Sequence, residues 1–171
     1  MKLSTRARYA LRLMLEIAKQ SKDGAPVSLS QVAKSDDLPR RYLEQLVIAL
    51  KRDSLLRGVS GKEGGYYLTR PPAEIKIGEI IEAAIGPVSI VDCVGDPGEC
   101  LKSDLCECRV MYSLINQRIT EVFNEFSLAD MLESKWHRLV GKQLDGSPVS
   151  LSPARKTRKR SRTARKTGVT A

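Results

Sequence analysis

The chain has 171 residues, 42% of them hydrophobic, which supports a sizeable packed core and excludes wholesale disorder. No apolar run approaches the ~20 residues of a membrane helix, and the N-terminus lacks the apolar block and small-residue cleavage site of a secretory signal. The net charge of +9 is unevenly placed: +7 over residues 1–70, −6 over 71–153 and +8 over 154–171.

Apolar residues at Ala7, Ala10, Leu11, Met14, Leu15 and Ala18 predict an amphipathic helix to about Gln20, with Ser4 as its N-cap. Asp23-Gly24-Ala25-Pro26 interrupts the chain, and Val27-Ser28-Leu29 reads as one short strand. A short helix from Ser30 buries Val32 and Ala33. Asp36-Asp37-Leu38 is a turn, and Pro39 suits a first helical position. The next helix runs to about Arg52, with Tyr42, Leu43, Leu46, Val47 and Leu50 inward. Two β-type segments, Leu55–Val59 and Tyr66–Leu68, flank a Gly-rich loop and predict a hairpin. Pro71-Pro72 closes this unit.

A further helix spans Ile75 to about Ile85 and stops at Gly86-Pro87. The chain from Val94 to Leu105 is loop-like. A long helix from about Cys108 to Phe126 carries one stripe of Met111, Ile115, Ile119, Val122 and Phe126, widened by Leu114 and Phe123. A short helix follows from Ser127 to about Leu139. After Gly141 the composition cannot bury a core and reads as a disordered basic tail. The expected fold is mainly α with a small β-wing, in three parts: a winged helix-turn-helix over 1–72, a cysteine-loop sensor region over 73–140, and the tail over 141–171.

Two helices joined by a very short polar turn form a helix-turn-helix, whose second helix is the candidate reader of double-stranded DNA. That helix opens with Arg40, Arg41 and Tyr42, then carries Glu44, Gln45, Lys51 and Arg52. Arg can bond guanine bidentately, Gln adenine, and Glu can accept from cytosine. Arg57 and Lys62 of the wing are candidates for phosphate or minor groove, and Gly64 and Gly65 for close backbone approach to the duplex. Lys2, Arg6 and Arg8 of the first helix can hold phosphates, which position without specifying. The tail, with 8 basic and no acidic residues after position 153, would add affinity that ignores sequence and falls with salt.

All four cysteines, Cys93, Cys100, Cys106 and Cys108, lie within 16 residues. A chain without a secretion signal is expected in the cytoplasm, associated with the nucleoid, where thiols stay reduced. Clustering there points to soft-metal or iron–sulfur ligation. The spacing differs from the paired tight turns of a zinc knuckle. Redox thiols, a zinc site and inert packing are the alternatives. Cys106 and Cys108 can both bind one cluster only if the helix begins after them. Asp92, Asp104 and Glu107 are nearby oxygen donors, and His137, the single histidine, reads as a helix-surface or packing residue rather than a ligand. No nucleotide-binding glycine motif precedes a helix, and nothing around His137 resembles a catalytic turn, so an enzyme is not expected.

Three elements resemble the IscR/NsrR/CymR superfamily of bacterial winged-helix regulators, across residues 1 to about 134. They are the opening Leu3-Ser4-Thr5-Arg6-Ala7-Arg8-Tyr9-Ala10-Leu11-Arg12, the helix Tyr42-Leu43-Glu44-Gln45-Leu46, and the wing Gly61-Lys62-Glu63-Gly64-Gly65-Tyr66-Tyr67-Leu68. The resemblance implies a transcriptional regulator that dimerises through the long helix and binds a palindromic operator. It matches Cys93, Cys100 and Cys106 to three cluster cysteines, and implies a cluster of the 2Fe–2S rather than the 4Fe–4S type. In the branch that controls cluster assembly, a histidine stands three places after the third cysteine. Here that place is Arg109, and Cys108 is the candidate substitute. The acidic ligand of the nitric-oxide-sensing branch falls at Arg8, and the cysteine-metabolism branch lacks the triad. The other readings are a cluster-free thiol or zinc regulator and a DNA-coating nucleoid protein.

Overall fold

The computed structural model describes residues 3–21, 24–61, 63–100, 105–133, 136 and 140. The chain divides into two units, Met1–Trp136 and His137–Ala171; the first is described here. The expected basic tail, His137 and Lys62 lie outside the described residues.

Helix α1 (Thr5–Gln20) starts where the Ser4 side chain accepts from the Ala7 N–H at 3.1 Å. It buries Ala7, Ala10, Leu13, Met14 and Ile17. Helix α2 (Leu29–Asp36) is set by a reciprocal cap: Ser28 Oγ accepts from Gln31 N, and Gln31 Oε1 accepts from Ser28 N at 2.8 Å. A side chain at each end of one turn thus satisfies two otherwise orphaned amides. This corrects the expected strand at Val27–Leu29. Only Val27 pairs there, exchanging backbone hydrogen bonds with Tyr66 at 2.8 and 2.9 Å.

Asp37 ends α2 in the left-handed region at φ 51°, a conformation its short polar side chain tolerates. Leu38 is buried in the turn, and Pro39 is the N-cap of α3 (Arg40–Arg52) rather than its first residue. Helix α3 buries Leu43, Leu46, Val47, Ala49 and Leu50 against α1 and α2. Strands β1 (Leu56–Val59) and β2 (Gly65–Leu68) pair antiparallel, Leu56 opposite Leu68 and Val59 opposite Gly65.

A 3-10 turn at Pro72–Glu74 precedes α4 (Ile77–Ile85). Ile75, expected inside that helix, is extended and fully buried. Its carbonyl accepts from Leu128 N at 2.8 Å, and Phe126 O accepts from Ile77 N at 3.1 Å. These bonds fix the start of α4 beside the start of α7 (Leu128–Leu132). Between them lie a one-turn helix α5 (Asp92–Gly95), a 3-10 turn at Pro97–Glu99, and the long α6 (Glu107–Glu125). The segment read as a loop therefore carries two short turns of helix.

The core joins α1, α2, α3, α4 and the strands around Leu13, Met14, Leu43, Leu46, Leu50 and Ile80. A smaller cluster of Ala7, Ile77 and Ile81 receives Phe123 and Phe126. The apolar stripe expected along α6 is thus divided. Its C-terminal end packs inward, while Met111, Leu114, Ile115 and Val122 stay exposed, and α6 has no buried residue. No helix is long and apolar enough to cross a membrane among the described residues.

Candidate nucleic-acid interface and cysteine loop

Helix α3, the expected reading helix, is held from both sides. Arg12 of α1 donates through Nε to Asp36 Oδ2 at 2.9 Å and through Nη2 to Asp36 O at 2.8 Å, fastening the end of α2. Tyr42 is half-buried, its ring edge-on to Tyr9 with centroids 5.6 Å apart. Its ring therefore orients α3 on α1. With five positions turned to the core, the remaining residues of α3 face outward in two directions.

On one side, Arg40 and Glu44 form an i,i+4 ion pair at 3.2 Å, and Arg40 Nη1 donates to Ser30 Oγ of α2 at 3.0 Å. Both side chains are solvent-exposed, so the pair adds little stability. It leaves donor and acceptor side by side at the mouth of a cleft of about 600 Å³. Lys51 and Gly58, Gly64, Gly65 and Tyr66 of the wing line the same cleft. On the other side, Arg41 and Gln45 line a shallower groove with Thr5 and Tyr9 of α1. The predicted reading residues therefore occupy the outward face of one helix but open onto two neighbouring surfaces.

Arg57 is exposed on β1, opposite Tyr67. Gly64 and Gly65 meet a requirement inside the chain: a Cβ on Gly64 would lie 2.4 Å from Val59 O, and one on Gly65 2.5 Å from Val27 O. The wing's own backbone thus requires these two glycines, whatever lies beyond it. Arg6 has a partner inside the fold. Its Nε donates to the carbonyl of Ala84 and ties α1 to α4. Arg8 is exposed and donates to Thr5 Oγ1 at 3.1 Å. Lys51 of the reading-helix set lines the cleft, while sequence reasoning left out Ser30 and Ile48, which is exposed on α3. The Ser28-x-x-Gln31 box signalled the α2 terminus that positions Ser30.

The four thiols are unpaired. Cys93 sits on α5, Cys100 follows the 3-10 turn, and Cys106 is the N-cap of α6; all three are half-buried. Cys108 is exposed in the first turn of α6, so the helix begins between the last two cysteines. Arg109 Nε donates to Cys93 O at 2.9 Å. Asn116 donates to Val88 O and accepts from Ile90 N, both at 3.0 Å. The approach to the cysteine loop is thereby clamped along α6. Among the described residues, no three Cys, His, Asp or Glu side chains converge on a metal-sized site.

The family model of Rrf2, described as an iron-dependent transcriptional regulator, matches residues 3–134. The transcriptional regulator CymR of Bacillus subtilis is 36% identical over 131 residues, covering 77% of this chain and 89% of its own. The regulator IscR of Yersinia enterocolitica is 32% identical over 135 residues, covering 79% and 81%. Among solved structures, CymR of B. subtilis, described as its global cysteine regulator, matches with a TM-score of 0.63 at 34% identity, over 77% of this chain and 95% of that one. IscR of T. potens matches with a TM-score of 0.62 at 32% identity, over 77% and 86%.

Proposed function

Because the chain belongs to the Rrf2 family of transcriptional regulators, we propose that it is a homodimeric DNA-binding regulator whose operator binding answers to an iron–sulfur cluster on the cysteine loop. The relatives are named as regulators, and the chain is not an enzyme. One observation carries the DNA-binding part: Arg40, Arg41, Glu44 and Gln45 share the exposed face of the second helix of a helix-turn-helix, beside the wing. A winged helix presents base-edge readers on such a helix face and phosphate contacts on its wing, which supports this reading. Arg57, Lys62, Gly64 and Gly65 supply the wing side, and the tail after position 153 adds affinity without sequence preference.

A second copy covers α6. Met111, Leu114, Ile115 and Val122 form an exposed apolar face on a helix with no buried residue, and burying such a face between two copies removes it from water. Two identical reading helices then match a palindromic operator.

The donor chemistry fits an iron–sulfur cluster, with four unpaired thiols in 16 residues, three of them half-buried. Cys93, Cys100 and Cys106 would hold it, with Cys108 completing the set. Ligation requires the chain between α5 and α6 to draw in, and the first turn of α6 to open for Cys108. A bound cluster supplies a centre that exchanges electrons and reacts with oxidants. The chain transmits its presence through α6. Arg109 and Asn116 tie that helix to the loop, and α4 packs against α6, α1 and α3 alike. A shift of α6 thus reaches the reading helix through one intervening element.

Visible absorption, iron and sulfide of anaerobically purified protein test this reading. A coloured, iron- and sulfide-bearing sample is expected. A colourless sample turns the assignment to the second reading, a regulator that responds through its thiols or zinc. The observation favouring that one is four unpaired thiols, of which Cys108 is exposed.

A further inference from the structure

We propose that Ile48 reads the 5-methyl group of a thymine in the major groove, an inference that rests on the DNA-binding reading above and sharpens it. Ile48 is 71% exposed. A single exposed isoleucine is ordinary on a protein surface. Its position is what sets this one apart. The apolar stripe of α3 is complete without it, since Leu43, Leu46, Val47 and Leu50 fill the inward face. At 100° per residue, Ile48 stands on the opposite side, in one row with Arg41, Gln45 and Arg52. Every other member of that row is charged or hydrogen-bonding, and Glu44 and Lys51 flank it.

A helix face that only held phosphates would gain nothing from a branched apolar side chain at its centre. Each base edge in the major groove offers donors and acceptors, and the single apolar group there is the thymine methyl. Ile48 lies three residues beyond Gln45, about 4.5 Å along the helix axis. That is close to one base-pair step from the base that Gln45 addresses. Ile48 and Val59, the latter 48% exposed on the wing, are the only exposed large hydrophobics among described residues up to position 72. Both stand on the elements proposed to meet DNA.

The test takes duplexes enriched by the full-length protein from a random pool and replaces each thymine singly by deoxyuridine, which lacks only the methyl. The expected result is one thymine per half-site whose replacement weakens wild-type binding about 4-fold, the worth of one buried methyl. Ile48→Ala abolishes the dependence at that position alone, and Ile48→Val retains most of it. Exposure of the side chain predicts an unchanged melting temperature for both variants. The inference is overturned if enriched duplexes show no such thymine, if Ile48→Ala keeps the full thymine-to-uracil ratio, or if Ile48→Ala changes the sedimentation of the free protein, which would place Ile48 between copies. Failure to enrich any duplex overturns the DNA-binding reading itself.

Discussion

Arg109 Nε donates to the carbonyl oxygen of Cys93 at 2.9 Å, so one side chain in the first turn of α6 holds the short helix that carries the first cysteine. The bond spans 16 residues of sequence and closes the segment that contains Cys100 and Cys106. Removing it frees α5 while leaving the core untouched. Arg109→Ala is expected to speed alkylation of Cys93 several-fold and to raise amide exchange over 92–96, with little change in melting temperature. Equal alkylation rates in the two proteins would show that the clamp has no hold on the loop.

The wing is docked through Val27, and Gly65 is the point of closest approach. Gly65→Ala drives a methyl to 2.5 Å from a backbone oxygen, where no side chain can swing aside. The expected cost is about 1–3 kcal/mol, with Val27 and Tyr66 amides losing protection first. An unchanged melting temperature would contradict this account of the glycine.

Asp130 caps α7 and its acidity reports on that cap. The Ser127 hydroxyl and then the Ser127 N–H donate to its carboxylate, holding its pKa below the ordinary 3.8 against a smaller upward push from burial. A carboxyl depressed in the folded state stabilises fully above its unfolded value, and that contribution is lost as pH falls through the folded one. Asp130→Asn is therefore expected to melt lower than wild type at pH 7, and the gap to close as the pH drops below about 3.8. A gap independent of pH would assign the effect to packing.

The exposed face of α6 predicts the assembly. Wild-type protein is expected to sediment at twice the 18.9 kDa of one chain. Met111→Glu with Ile115→Glu places two carboxylates on the proposed seam and is expected to give monomers that bind an operator at least 10-fold more weakly. Dimers that survive both substitutions would move the interface elsewhere.

Much of the winged-helix half was legible because its signals are local. Ser4 capped α1 as read, and the spacing of Leu43, Leu46, Val47 and Leu50 defined the inner side of α3. The failures have physical causes. Val27-Ser28-Leu29 reads as a strand by residue type, but the Ser28–Gln31 cap outweighs that preference. Ile75 fits the apolar period of α4, yet a backbone bond from Leu128, distant in sequence, holds it extended. The tie from Arg6 to the Ala84 carbonyl was not legible, because nothing in sequence brings α1 and α4 together there. Ile48 was overlooked because it lies outside the apolar stripe, and its meaning depends on which face is free. The cysteine spacing was plain, while the helix start between Cys106 and Cys108 was not.

The central claim is that the cysteine loop governs DNA binding, and it is tested most directly by one comparison. Anaerobically purified wild type and the Cys93→Ser, Cys100→Ser, Cys106→Ser triple variant are titrated with the same selected duplex, with iron and sulfide measured in each. The account predicts iron and sulfide in wild type alone, and affinities that differ at least 5-fold, the lower range of allosteric coupling. Equal affinities in an iron-bearing wild type and an iron-free variant would contradict it.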